Sequence, residues 1–496
     1  MTVTYISTRG RAPELAFGDV LLTGLATDGG LYVPQTWPAL SPAALSWNPS
    51  TDSYADLAVE VMWPFVDGTY SRNRFEELVR DAYSHTEGAH TEGGFSRSEV
   101  APMVELGGGI WLMELFHGPT LAFKDIALQL VGRLFAEELE KTGKRVTIVG
   151  ATSGDTGSAA IEAVRDRPNI QIVILHPKGR VSEIQRRQMT TVDSANVHNV
   201  AIEGTFDDCQ DLVKAMFADA DFRREQQLSA VNSINWARVM AQIVYYVAAA
   251  RWLAVNGIGR EVAQPHKQKL NEGLQNSDGR VSFCVPTGNF GNVLAGYVAR
   301  QMGLAVERFV VASNRNDILT QFFTTGSMAI GEVRPTISPS MDIQVSSNLE
   351  RLLFELQDRN GVRTATVMED FRATGEMKID ARTLDELKQS WEGIRVSEEE
   401  TTKTIASLYQ RTGIVVDPHT AVGLAAAERS NIGSGEAMVV LATAHPAKFP
   451  EAVTTAIGQP PSVPPALAAV ATLPEHYTTL PNNLLTIQNL IANCNA

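Results

Sequence analysis

Lys124 ends the apolar run Leu121-Ala122-Phe123 within His117-Gly118-Pro119-Thr120-Leu121-Ala122-Phe123-Lys124-Asp125, at the expected start of a helix over 126–139. An amine packed among apolar neighbours is partly desolvated, so its pKa falls and a neutral nitrogen becomes available for Schiff-base chemistry. Taken alone, the same lysine reads as a surface residue in the first turn of a helix. Two small-residue loops change that reading. Gly288-Asn289-Phe290-Gly291-Asn292 falls between an expected strand and an expected helix. Glycines there admit close backbone approach, and N–H groups and the helix dipole favour an anion. The loop is neither a Walker A sequence nor a dinucleotide fingerprint, which leaves a phosphate cup of another kind or a tight turn with no ligand. Thr152-Ser153-Gly154-Asp155-Thr156-Gly157 holds the same strand-to-helix position. Its hydroxyls and backbone donors suit a substrate carboxylate, although Ser, Thr and Asp are also ordinary helix caps. One candidate Schiff-base lysine and two anion-binding turns fit an amino acid joined to a phosphorylated cofactor.

The elements that must position these residues alternate. Apolar, β-branched runs at 145–150, 170–175, 281–285, 308–312 and 437–443 read as strands, with helical segments at 158–165 and from Val293. Such alternation predicts βαβ units and a mainly parallel sheet covered on both faces, with ligands beyond the carboxyl ends of its strands. The most hydrophobic long stretch, 240–255, contains Gln242 and Arg251 and falls short of the ~20 apolar residues that cross a bilayer, so it is expected as a buried core helix. The expected organisation is an N-terminal, mostly helical lobe over 1–95 with a glycine-rich turn region at 24–34, and an α/β domain over 96–260 carrying Lys124. An exposed loop over 261–280 follows, then a second α/β domain over 281–450 with the glycine cup, and a C-terminal extension over 451–496 that wraps a surface.

Composition narrows the partners. The chain has 496 residues, 44% hydrophobic and 20% charged, and a formal net charge of −14, with no basic patch to overcome repulsion from nucleic acid or anionic lipid. Cys209, Cys284 and Cys494 are odd in number and far apart, which fits neither a disulfide framework nor a zinc ligand set. A polar N-terminus without an apolar h-region agrees with a reducing, cytoplasmic setting. No metal ligand set or Ser-His-Asp spacing is present, and no marked interface is visible, so a monomer or weak homodimer is expected.

The segment Phe116-His117-Gly118-Pro119-Thr120-Leu121-Ala122-Phe123-Lys124-Asp125, then Ser153-Gly154-Asp155-Thr156-Gly157, then Gly288-Asn289-Phe290-Gly291-Asn292 resemble the signatures of the threonine synthase family. The likeness is to its long bacterial and fungal form, within the fold type II (tryptophan synthase β-like) enzymes of pyridoxal 5'-phosphate (PLP). Tyr5-Ile6-Ser7-Thr8-Arg9-Gly10, Asp28-Gly29-Gly30-Leu31, Asn232-Ser233-Ile234-Asn235-Trp236 and Thr443-Ala444-His445-Pro446-Ala447-Lys448-Phe449 match as well, so the resemblance runs from residue 4 to about 450.

The resemblance implies two open, mainly parallel sheets covered by helices, PLP as cofactor, and conversion of O-phosphohomoserine and water into threonine and phosphate. It implies that Lys124 holds PLP as a Schiff base and moves protons, that Gly288, Asn289, Phe290, Gly291 and Asn292 bind the cofactor phosphate, and that Thr443 faces the pyridine nitrogen. Asp155 stands beside the cofactor 3'-oxygen, where many relatives of the fold type carry Asn. Thr152, Ser153 and Thr156 are the expected substrate carboxylate contacts. Arg238 is the candidate for the substrate phosphate, with an ordinary ion pair as its alternative and Lys448 as a rival for the task. His117, His419 and His445 are structural hydrogen-bonders as readily as catalysts. A serine or threonine dehydratase of the same fold type, which needs no second phosphate site, and a non-catalytic PLP-fold ligand-binding protein are the competing readings.

Overall fold

A computed structural model describes residues 3–85, 94–152, 154–258, 281–430, 433 and 436–494. Ser153 and the loop expected over 261–280 lie outside the described residues. Two open sheets carry the architecture. One has six strands in the order Trp391–Arg395, Val306–Ser313, Val281–Pro286, Ala437–Ala442, Ile110–Glu114 and Met103–Gly107, all parallel except the last pair. The other has five parallel strands, ordered Thr478–Pro481, Val197–Glu203, Ile170–Pro177, Val146–Ala151 and Leu228–Ser229. Every residue of Val281–Pro286 and of Ala437–Ala442 is buried, as expected of central strands with helices on both faces. These strands therefore read as unbroken apolar runs rather than as alternating patterns.

The helices form as the spacing predicts, with shifted ends. Lys124–Thr142 begins at the lysine itself and closes on Gly143 in the left-handed region, where glycine carries no Cβ penalty. Asp155–Val164 begins three residues before the expected position, and Trp236–Val255 is the buried core helix, capped by the Asn235 side chain accepting from Ala237 N.

The sheets do not follow the divisions drawn along the sequence. Met103–Gly107 and Ile110–Glu114, from the stretch that carries Lys124, pair into the sheet of the glycine cup. The C-terminal Thr478–Pro481 adds an edge strand to the other sheet, and Leu484–Cys494 buries Ile487 and Ile491 against Val173 and Val200. The N-terminal residues, expected as a lobe apart, share the main core. Phe65 of Tyr54–Val66 packs its ring 5.6 Å from Trp236, and Arg9 forms a buried bidentate pair with Glu350 at 2.9 Å. A helix with this much apolar surface must cover another element, and the long core helix offers the matching face. Among the described residues, no helix is long and apolar enough to cross a membrane.

Candidate active site

Lys124 and the 152–157 loop meet beyond the carboxyl ends of the strands, and the glycine cup follows Val281–Pro286, the strand paired with Ala437–Ala442. Lys124 is brought there by a short antiparallel bridge between Ala122 and Ala444, with Phe123 N donating to Thr443 O at 2.9 Å and His445 N to Leu121 O at 3.0 Å. Leu121 takes a positive φ of 61°, which turns the chain into the helix. The Lys124 helix packs directly on Asp155–Val164. Gly132 makes this approach possible, since a Cβ there would stand 2.1 Å from Ala163 O. Gly132 and Ala163 each lie eight residues beyond Lys124 and Asp155, so the N-terminal ends of both helices emerge side by side.

Lys124 Nζ accordingly lies 3.5 Å from Asp155 Oδ2, with both side chains buried. Burial pushes the Lys124 amine below its ordinary pKa, Asp155 opposes this, and the charges of Lys448 and Arg238 lower it further. Burial alone would raise the Asp155 carboxyl. Instead, Lys448 and Lys124, with a hydrogen bond from Gln185, hold it well below the usual carboxylate range. Asp125, on the far side of the turn, is raised to about 6 by burial, despite accepting from Thr120 N at 2.8 Å and Thr120 Oγ1 at 2.6 Å.

The loop at 152–157 is braced from inside. Thr152 Oγ1 accepts from Gly154 N at 3.0 Å and Gly157 N at 2.9 Å, so this hydroxyl shapes the turn, while Thr156 is half-buried at the first turn of its helix.

The glycine cup is held from behind. Ser346 Oγ donates to Gly288 O at 2.7 Å, and Asn348 donates to Asn289 O through its Nδ2 at 2.9 Å and its backbone N at 3.1 Å. In a trans peptide the next N–H points opposite to the carbonyl, so the N–H groups of Asn289 and Phe290 face away from these anchors. Phe290 sits at φ 65° ahead of Gly291–Gln301 and provides no side-chain cap, leaving first-turn N–H groups available. Stacking on Phe323 and Trp391, at ring distances of 6.0 and 5.8 Å, keeps a non-glycine residue in that conformation.

Arg238 lies two residues inside its helix, 4% exposed, and Nε has no partner. Among the described residues its guanidinium has one polar contact, NH1 to Val231 O, long at 3.5 Å, and no carboxylate pairs with it. Burial lowers its pKa to about 10, which still leaves a cation at neutral pH. The same helix reaches the cup, where Tyr245 OH donates to Asn292 Oδ1 at 2.6 Å. Asn348 Nδ2 also donates to Ser233 O at 3.1 Å, which ties the cup to the segment leading into the Arg238 helix.

These residues fit a phosphorylated aldehyde cofactor. Asn292 Nδ2 is buried without a partner beside the cup, and a Cβ on Gly288 would come within 2.5 Å of Ser340 O, so glycine is required for the cup to close as it does. A depressed, buried lysine amine then supplies the nitrogen. The histidines have other employment. His117 Nε2 meets Glu114 at 2.7 Å, and His419 bonds Asp417 at 2.8 Å and accepts from Ser340 N. His445, lowered to about 4 mainly by burial, accepts from Ala447 N. Sequence reasoning missed the role of Gln185, which bonds Asp155 at 2.8 Å, and the Ser346 and Asn348 anchors; the latter lie nearly sixty residues from the cup with no motif of their own. Lys448, the rival candidate for the substrate phosphate, pairs with Asp155 Oδ1 at 2.8 Å.

The chain is 49% identical to a threonine synthase of Pseudomonas aeruginosa over 98% of both chains, and 39% identical to that of Saccharomyces cerevisiae over 91% of this chain and 89% of the other. Its structure is similar to that of PLP-bound threonine synthase from Brucella melitensis, with a TM-score of 0.90, 43% identity and 99% of each chain covered. Residues 99–373 match the family described as pyridoxal-phosphate dependent enzyme, and fold and site together define a PLP-dependent enzyme of fold type II. Residues 4–83 match the threonine synthase N terminus and residues 420–491 the threonine synthase C-terminal family. The chain belongs to the threonine synthase family, and its activity is that of a PLP-dependent lyase that forms threonine.

Proposed function

We propose that the substrate is O-phosphohomoserine and that Arg238 receives its phosphate. The observation that carries this is the buried, positively charged Arg238, with Nε unpartnered and, among the described residues, no carboxylate paired with it. A buried cation left without a counterion is costly unless an anion arrives, and a guanidinium fork matches a phosphate. A dehydratase has no use for such a group. The backbone of residues 288–292 holds the cofactor phosphate, Thr443 faces the pyridine nitrogen, and Asp155 lies beside the 3'-oxygen. Thr156 and the loop around Thr152, together with Ser153, receive the substrate carboxylate.

PLP supplies the electron sink that lets protons leave Cα and then Cβ, so that phosphate departs from Cγ and water adds at Cβ. Lys124 Nζ takes the Cα proton and later returns one. It also serves Cβ, which requires a neutral amine in a dry pocket, and its lowered pKa suits that task. Arg238 anchors the leaving group while the bond to Cγ breaks. The free thiols of Cys209, Cys284 and Cys494 suit a reducing cytoplasm.

Purified enzyme given O-phosphohomoserine is expected to release threonine and phosphate in equal amounts, and Lys124→Ala to lose both. Arg238→Ala is expected to raise KM for this substrate by about 10- to 100-fold while PLP remains bound. Release of ammonia and a keto acid instead of phosphate would overturn the assignment in favour of a dehydratase.

A further inference from the structure

Asp155 carries one negative charge between two lysines, and the geometry divides it unequally. Oδ1 receives Lys448 Nζ at 2.8 Å and Gln185 Nε2 at 2.8 Å, while Oδ2 faces Lys124 Nζ at 3.5 Å. The first distance is that of a strong charge-assisted bond; the second is well beyond it. Lys448 has no exposed surface and spends a second donor on Thr120 O at 2.7 Å, an oxygen that also accepts from Gln188 Nε2 at 3.0 Å. Its backbone N is fixed in turn to His445 O at 3.1 Å. An ammonium buried this completely requires a counterion.

We propose that Lys448 is a positioning residue, the resident counterion of Asp155, which keeps that carboxylate from holding Lys124 as an ammonium and so leaves Lys124 the free amine of the pair. The inference rests on the reading of Lys124 as the PLP lysine. One carboxylate can neutralise one ammonium. Were Lys448 uncharged, the nearest cation to Asp155 in a dry site would be Lys124, and its proton would be held more tightly. With Lys448 in place, the pair is already neutral, and a second positive charge nearby opposes protonation of Lys124. The charged groups that bear on Lys124 are Asp155, Lys448 and Arg238, and those that bear on Lys448 include Asp155, Asp125 and His445. Burial is the largest influence on the Lys124 amine, and Lys448 acts in the same direction.

The test uses the full chain stripped of PLP, with the rate of PLP uptake followed by visible absorbance from about pH 6 to about pH 10, where the free-amine fraction of Lys124 sets the midpoint. Lys448→Met, of similar length and no charge, is expected to move that midpoint upward by about one pH unit. Lys448→Arg, which keeps the charge, is expected to stay within roughly 0.3 unit of wild type. A wild-type midpoint in Lys448→Met overturns the proposal, as do equal shifts in both variants, which mark packing rather than charge. If Lys448→Met does not fold, Lys448→Gln, which keeps a hydrogen-bond donor without the charge, takes its place with the same upward shift expected, and a wild-type midpoint there overturns the proposal. Lys124→Ala run alongside separates the two readings. Uptake that persists there overturns the role of Lys124, whereas an inert Lys124→Ala with an unmoved Lys448→Met overturns that of Lys448 alone.

Discussion

Lys124, Asp155 and Asp125 lie within one buried neighbourhood, yet burial and partners drive them apart. The lysine is lowered, Asp155 is held ionised chiefly by Lys448, and Asp125 rises to about 6 because burial outweighs its Thr120 hydrogen bonds and the charge of Lys448. The last shift has a consequence for stability. The folded chain binds the Asp125 proton more tightly than the unfolded chain, whose carboxyl titrates near ~3.9, so this contribution is present below that pH and is lost as pH rises through about 6. Asp125→Asn is therefore expected to flatten the decline in stability between about pH 4 and about pH 6, on the order of 2–3 kcal/mol, in urea unfolding of the PLP-free chain. An unchanged slope would mean that Asp125 titrates normally. Lys124 stood out in the sequence because of its apolar neighbours. The pairing of Lys448 with Asp155 did not, because it joins residues nearly three hundred positions apart.

The pairing of Lys124 with Asp155 is a property of two helices and the glycine between them. Gly132 has ordinary helical geometry, so nothing in its local sequence marks it apart from a modest loss of helix propensity. Its importance comes from the Ala163 carbonyl at 2.1 Å from where a Cβ would lie, an atom of rigid backbone rather than a yielding side chain. Gly132→Ala should force Lys124–Thr142 and Asp155–Val164 apart, costing about 1–3 kcal/mol and slowing PLP uptake. Thermal melts and uptake rates measured together check this, and a gain in stability from the better helix former would refute it. The strand-turn-helix units around Lys124, the 152–157 loop and the cup were legible because period and punctuation are local signals. Their ends moved by a few residues, since hydrogen bonding and packing set where a helix begins.

Across the molecule, distant segments complete each sheet. The C-terminal Leu484–Cys494 helix buries Ile487 and Ile491 in the cluster formed by Val149, Val173, Val200 and Ile202, and Arg186 and Arg187 meet Glu475 in the segment leading to it. The tail thus fastens the helix Glu183–Thr190, which carries the Gln185 that contacts Asp155. Ile491→Ala is expected to lower stability by about 2–4 kcal/mol in urea unfolding. A change below about 0.5 kcal/mol would show that the tail is peripheral.

Residue order carried the local terms: which lysine is desolvated, which turns present N–H groups, and which runs are buried strands. It also carried the resemblance from which the family followed. Three-dimensional folding settled which of these stretches are neighbours. Strand pairing joins 103–114 to 281–442 and 478–481 to 197–203, and such long-range pairings depend on complementary apolar faces rather than on any local signal. The unequal sharing of Asp155 between Lys448 and Lys124 belongs to the same class of fact. Charge balance in a dry site depends on distances, and those exist only once the chain has closed upon itself.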